Sequence, residues 1–415
     1  MRSDAGRGGR ARSRGIAAAL GALTLTLAGC LGSPDGAGVD VVAPDTLDAA
    51  DTADVEEVEL PEPVEVPPTG TCPAGVVGGK LGRTRLLIGG DVSEYVFTEL
   101  PVDMRAMSFN GPIPDGDRTI IDFLNHTAGG GAVPLVTYRG WEALAGAPPG
   151  LAEIQALQRG DLVSAYLADY RRFCRDVGEL VGFRAIIHLE PDLAGHAQRA
   201  ADDPASVPVA LAAAGATECA GLGDDFGGLG RCLVRIARAE APYALIAVHA
   251  SSWANGPDAF FEVDPQYDPF PSAGRVGAFL AAAGGDEADL VALEMSDRDA
   301  AYDGRWWDDR DLAEPNFARA ILWAKQVGRV LDAPILWWRV PFGNMLLEDT
   351  CGRYRDNRLD YVFDHVDELV EANVLGVSFG AGADCMTTGD TDDDHFLRRE
   401  RDYVQSGGAL LCGGK

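Results

Sequence analysis

Carboxylates, imidazoles and indoles recur in this 415-residue chain at the points where apolar runs of strand length end. The clearest instance is Phe183-Arg-Ala-Ile-Ile-His188-Leu-Glu190-Pro-Asp192. Alternation places Ile186, His188 and Glu190 on one face of this run and Ile187 and Leu189 on the other. Two ionisable groups on one face of a buried strand lose hydration, so they need a partner, hydrogen bonds or a solvated pocket. Other runs end in the same manner. They give Gly89-Gly-Asp91, Ser108-Phe-Asn110, Thr137-Tyr138-Arg139-Gly-Trp141 and His249-Ala-Ser-Ser-Trp253, then Glu294-Met-Ser-Asp297-Arg298-Asp299 followed by Trp306-Trp307. Trp337-Trp338-Arg339 leads on to Asn344, and the final run ends Ser378-Phe-Gly-Ala-Gly-Ala-Asp384. The starts of the runs carry far fewer such groups.

Carboxylates gathered at one rim suit cleavage of a glycosidic bond, in which one acid protonates the leaving oxygen and the other activates water or attacks the sugar. The expected pair is Glu190 as general acid/base and Glu294 as its partner, with Asp192 or Asp297 as substitutes. By parity His249 joins His188 on the inner face, as do Glu294, Trp337 and Arg339, and Asp91 can join them. Sugar rings present apolar C–H faces that pack on indoles, and six of the seven Trp lie near these ends. The expected substrate-binding set is Asp91, Tyr138, Trp141, His188, His249, Trp253, Trp306, Trp307, Trp337, Arg339 and Asn344. Trp338 has the parity of an outward packing residue. Each acid also has a structural alternative: Glu190 in an ion pair, the two histidines as hydrogen-bonded core residues orienting a carboxylate, and Asp297 to Asp299 as a solvated loop.

The elements that must position these groups are eight apolar runs: 85–91, 103–109, 132–138, 183–190, 243–250, 289–295, 334–340 and 374–380. Segments with apolar residues at helical spacing separate most of them, notably 159–180, 229–241, 275–283, 316–331 and 359–372. Strand and helix alternating with eight strands predicts a closed (β/α)8 barrel over residues 72–415, whose active site lies at the C-terminal strand ends. An open doubly wound sheet is the alternative; no Gly-x-Gly-x-x-Gly turn follows the first run. The connection 197–227 is long enough to predict a lid, a binding loop or a disordered insertion, which on a barrel would lie over the mouth.

Glu190-Pro-Asp192 after an apolar strand, then His249-Ala-Ser-Ser-Trp253 on a later one, resembles the family six glycoside hydrolases, in which a Glu-Pro-Asp strand end precedes a Gly-His-x-x-Trp strand end. An acid closing the fourth strand also resembles the retaining (β/α)8 glycosidases. Both resemblances imply a carbohydrate-active barrel and extend over only a few residues. Strand seven ends Trp338-Arg339-Val-Pro without a nucleophilic Glu, and the family six Arg-Asp-Cys segment is missing apart from a partial echo at Asp297-Arg298-Asp299.

A formal charge of −29 and a pI near 4.4 argue against nucleic acid or anionic lipid as electrostatic partners. Residues 1–30 read as an export signal: five arginines precede an apolar stretch that is too short to span a bilayer. Its end, Leu27-Ala-Gly-Cys30, resembles the bacterial lipobox, which implies a lipid anchor on Cys30 and a place in the cell envelope. Residues 31–70 hold eleven Asp or Glu and six Pro with no Lys, Arg or aromatic residue, the composition of an extended tether. Apart from Cys30, the seven cysteines are preferably paired as Cys72 with Cys412, Cys219 with Cys232 and Cys351 with Cys385, leaving Cys174 free; spacing alone does not fix the connectivity. No zinc or cofactor motif occurs, and the acidic stretch 384–395 lacks EF-hand spacing, which favours a solvated loop over a Ca2+ site. The expectation is a monomer with a carbohydrate substrate, held at a bilayer through Cys30. A non-catalytic glycan-binding protein and a metal-dependent hydrolase built on Asp91, His188, Glu190 and His249 are the rival readings.

Overall fold

The structure, a computed structural model, describes residues 72–413 except 115, 181, 310, 312, 313 and 383. The readings made on residues 1–71, the export signal, Cys30 and the tether, lie outside the described residues.

Eight parallel strands close into one barrel in sequence order: β1 Leu87–Gly90, β2 Met104–Asn110, β3 Val133–Arg139, β4 Ile186–Leu189, β5 Leu245–Ala250, β6 Leu290–Glu294, β7 Ile335–Val340 and β8 Val374–Phe379. The open-sheet alternative is thereby excluded. Each strand divides its apolar residues between two layers. Leu87, Met104, Leu135, Ile186, Leu245, Leu290 and Leu336 fill the barrel interior, while Val136, Ile187, Ile246, Val291 and Ile335 face the surrounding helices. Those helices are amphipathic and several begin at a side-chain cap. Asp225 accepts from Gly228 N at 2.7 Å at the start of Phe226–Glu240, and Asn316 accepts from Arg319 N at 2.9 Å at the start of Phe317–Leu331.

The N-terminal helix Pro73–Lys80 stoppers the end of the barrel opposite the strand C-termini, with Ala74, Val77 and Leu411 packed into the interior cluster. Disulfides join Cys72 to Cys412, Cys219 to Cys232 and Cys351 to Cys385, and Cys174 is free and buried, as the preferred pairing has it. No helix among the described residues is long and apolar enough to cross a membrane.

Two expectations about loops are corrected. The connection 197–227 is not a lid: Val207, Val209 and Leu211 are buried against the helix layer, short helices and 3-10 turns punctuate it, and the Cys219–Cys232 disulfide pins its end. Its apolar residues, sparse among Gly and Ala, are sufficient to hold it down. The acidic stretch 384–395 is likewise built into the fold rather than solvated throughout. Asp392 is fully buried and accepts from Phe396 N at 2.7 Å in the first turn of the helix His395–Gln405, and Thr387 N donates to Asp299 at 2.8 Å.

Candidate active site

The C-terminal strand ends open into a cleft of about 180 Å³ lined by Asp192, His249, Ser251, Ser252, Trp253, Asp258, Phe261, Glu294, Ser296, Asp297 and Asp303. Strand β6 delivers Glu294. Its neighbours Ala292 and Leu290 point into the barrel, so alternation carries Glu294 inward at the level where the strand gives out. Its Oε1 is buried without a hydrogen-bond partner among the described residues. Burial, reinforced by Asp192 and Asp297 and opposed by Arg339 and Arg139, pushes the carboxyl up to about 8, so it carries its proton at neutral pH.

Asp192 reaches the same cleft from the exit of β4, one strand removed from β6. It stands after β4 in a left-handed backbone conformation, φ 73°, which lifts it off the strand axis, and its side chain is 35% exposed. Behind it runs a chain of neutral polar groups. Thr137 Oγ1 lies 3.2 Å from His188 Nδ1, His188 Nε2 lies 3.0 Å from His249 Nδ1, and His249 Nε2 faces Asp192 Oδ1 at 3.9 Å. Burial is the leading reason that both imidazoles titrate low, His249 at about 4 and His188 well below its ordinary value; Arg139 and Arg339 add to it. A neutral imidazole has one N–H. Thr137, His188 and His249 therefore form a two-bond relay in which each ring donates from one nitrogen and accepts at the other, while Asp192 stands 3.9 Å beyond His249 Nε2, outside hydrogen-bond distance.

Trp338 closes this chain from the β7 side, its indole edge-on to His188 at 4.7 Å and to His249 at 5.8 Å. That reverses the parity read for β7: Trp338 points inward, and Trp337 is buried outside the barrel against Phe260. Leu336 pairs with inward Ala292, which fixes Trp338 inward two residues later. Arg339 nevertheless reaches the mouth. A register shift between Trp338 and Val340 and a φ of 56° turn it off the strand so that its guanidinium stacks 4.6 Å above the Trp338 ring. Asp91 lies at the exposed rim near Arg339 and Arg105; the crowding of the mouth raises its pKa and the two cations pull against that rise.

Glu190 does not belong to this cleft. Its backbone turns at φ 35° as the strand ends, and the side chain leaves for the helix layer. There Oε1 accepts from Gly140 N at 2.9 Å and Trp141 N at 3.0 Å, at the start of the helix Trp141–Ala145. Buried beside Tyr166, it is pushed up to about 7 by desolvation, against the pull of those two N–H groups. The expected Glu190–Glu294 pair is therefore not assembled; Glu190 ties the β3 exit to the β4 exit. Other expected contacts are packing residues for the same reason. Tyr138 and Trp141 point into the helix layer, where Tyr138 donates to Asp169 at 2.8 Å, and Trp307 and Trp337 sit in the outer core. Asn344 is buried, its amide donating to Asp392 O at 2.5 Å and accepting from Leu346 N at 2.7 Å. Trp306 is partly exposed, with Arg355 over its ring at 5.5 Å.

The four residues of the metal-hydrolase reading do not converge, since Glu190 faces away and the histidines bond each other; no cluster of three or more suitable ligands occurs among the described residues. Sequence reasoning missed Thr137, Ser251, Asp258 and Trp338. Thr137 was legible, two residues before Arg139 on the strand that pairs with β4, whereas Trp338 needed the register of β7.

No family model matches the chain, and no curated protein matches it. Among solved structures, it is similar to a double mutant of the Cellulomonas fimi endo-β-1,4-mannanase at 12% identity, covering 80% of this chain and 74% of that one with a TM-score of 0.49. The catalytic domain of the Bacillus sp. JAMB-750 family 26 endo-β-1,4-mannanase is similar at 11% identity, over 82% and 92% of the two chains, TM-score 0.48. A Mycobacterium tuberculosis endoglucanase, Cel6, is similar at 14% identity over 62% and 73%, TM-score 0.34. At such identities the likeness is one of fold.

Proposed function

We propose that this protein hydrolyses glycosidic bonds, with Glu294 as the general acid and Asp192 as the carboxylate that activates water or attacks the sugar. The observation that carries the reading is a single cleft lined by Glu294, half-buried with its Oε1 shut off from solvent and its carboxyl pushed up to about 8 by burial, and by Asp192, whose side chain solvent reaches. Two acids in unlike surroundings are what acid-and-base division of labour requires. Asp297 is the alternative partner; its own ion pair with Arg298 at 2.5 Å favours Asp192. His249 faces Asp192 across 3.9 Å, Trp253 offers the partly exposed indole for a sugar face, and Arg339 and Asp91 flank the approach.

The test is a polysaccharide and oligosaccharide panel run with the full chain, scoring both retention and reducing-end release. Turnover that disappears in Glu294→Gln supports the assignment. Retention without turnover would favour the glycan-binding reading, and neither would remove both. We further propose, from residues 1–70, export and lipid anchoring through Cys30, which places this carbohydrate chemistry in the cell envelope. Metabolic labelling with a fatty-acid analogue, lost in Cys30→Ser, is the corresponding measurement.

A further inference from the structure

We propose that Thr137 is a positioning residue which, acting through two buried rings, aims the Nε2–H of His249 into the cleft, where that group donates to a hydroxyl oxygen of the bound sugar. The proposal rests on the glycosidase reading and adds to it a recognition group and the residue that sets it.

The relay has two possible directions. Its bonds join Thr137 Oγ1 to His188 Nδ1 at 3.2 Å and His188 Nε2 to His249 Nδ1 at 3.0 Å, and each neutral ring has one proton to give. In the first direction the hydroxyl donates to His188 Nδ1, His188 donates from Nε2, and the His249 proton is left on Nε2. In the second, His249 donates from Nδ1, His188 donates from Nδ1 to the hydroxyl, and His249 Nε2 faces the cleft as a lone pair. The buried end decides between them. Thr137 is 1% exposed, and among the described residues its hydroxyl meets no hydrogen-bond partner other than His188 Nδ1. The second direction leaves the hydroxyl proton buried without an acceptor, whereas the first uses it.

The cleft end agrees with the buried end. The Asp192 carboxylate, 3.9 Å from His249 Nε2, is too distant to accept a hydrogen bond but close enough to favour an N–H over a lone pair facing it. Trp338 covers both rings and His188 is wholly buried, so solvent offers the inner bonds no substitute partner. Burial also keeps both imidazoles neutral at pH 7, against the pull of Asp192 on His249 and with the support of Arg139 and Arg339, so the single-proton logic holds. His249 belongs to the cleft wall beside Ser251 and Trp253. An N–H there needs an oxygen acceptor, which a sugar hydroxyl supplies next to the indole that packs on the ring.

The experiment is 15N nuclear magnetic resonance of the full chain labelled at histidine, with the His249 ring assigned through His249→Asn, on the parent, Thr137→Val and Thr137→Ser. The expected parent carries its His249 proton on Nε2 in at least about a tenfold excess, the scale of one orphaned buried donor. Thr137→Val, of nearly the same shape, is expected to give a mixture of both tautomers, and Thr137→Ser to restore the parent's. A His249 proton on Nδ1 in the parent, or a Thr137→Val spectrum unchanged from it, overturns the positioning role. Calorimetric Kd values for mannohexaose and cellohexaose, measured in a Glu294→Gln background so that nothing is turned over, read the contact itself. Thr137→Val is expected to weaken binding roughly two- to fivefold, as the inverse of the fraction left in the donor tautomer, with Thr137→Ser at the parent value. Equal affinity in Thr137→Val beside an altered tautomer overturns the sugar contact and leaves the glycosidase reading standing. Absence of binding by both sugars in every variant counts against that reading and the contact together, while the spectra still decide the direction of the relay.

Discussion

Replacing Glu294 by Gln separates the chemistry of this site from its stability, because the substitution moves the two in opposite directions. Glu294 ordinarily titrates near 4.5 and is raised to about 8 in the fold, chiefly by burial. Between those two values the unfolded chain has lost the proton and the folded chain keeps it, so the native state binds more protons and its stability falls as pH rises. The difference of about 3.5 units corresponds to roughly 5 kcal/mol, an upper figure for the stability lost between pH 4.5 and 8. A Gln side chain of the same shape has no proton to lose. The variant is therefore expected to match the parent near pH 5 and to exceed its thermal stability progressively up to about pH 8, after which the gap is constant. Hydrolysis should move the other way, with kcat down by about 10² to 10⁴ from loss of the general acid, while the parent's own activity declines above about pH 8 as Glu294 ionises. Differential scanning fluorimetry of both proteins from pH 5 to 9, paired with initial rates, reads both quantities. A stability gap that does not widen with pH would show that Glu294 is not held protonated, and the assignment of the acid would fall with it.

Glu190→Gln is expected to keep kcat within about threefold, since Gln Oε1 can accept from Gly140 N and Trp141 N as Glu190 does; a loss as large as that of Glu294→Gln would return Glu190 to the chemistry. Trp253→Ala is expected to raise KM roughly tenfold with a smaller change in kcat, as befits an indole that packs on a bound sugar, and unchanged KM would remove it from the binding surface. Breaking the Cys72–Cys412 bond with Cys72→Ser and Cys412→Ser together should cost on the order of 5 kcal/mol, because the loop it closes is 340 residues long. A chemical denaturation midpoint unchanged by the double substitution would mean that the N-terminal helix and Leu411 hold the ends without it.

What the sequence discloses and what it conceals divide along a physical line. Eight apolar runs, their order and the polarity of their ends were all legible, because burial of a strand leaves a continuous apolar signature and barrel closure follows from the count. The cysteine pairs were legible too, because the ends of a barrel meet and the other two pairs lie close in sequence. Within the strands, parity placed His188, His249 and Glu294 correctly on the inner face. It failed for Trp337 and Trp338, where Trp337 was grouped with Arg339 on the inner face although the strand is irregular at Arg339, between Trp338 and Val340.

The same cause accounts for Glu190. Alternation is a property of extended backbone, and it lapses at the first residue whose φ becomes positive. Glu190, Asp192 and Arg339 all have positive φ, at 35°, 73° and 56°, a conformation that non-glycine side chains adopt only when their surroundings hold them there. In β4 the turn sends Glu190 outward onto the N–H groups of Gly140 and Trp141, and the following turn at Asp192 returns a second carboxylate to the mouth. The two acids of one Glu-Pro-Asp segment thus take different jobs, the first bracing β3 against β4 and the second facing His249. A carboxylate two residues past the end of a strand can therefore be the better candidate than the one that ends it. The decisive quantity is which of them finds backbone donors in the helix layer, since a carboxylate held by two N–H groups out of reach of the cleft cannot protonate a leaving group there.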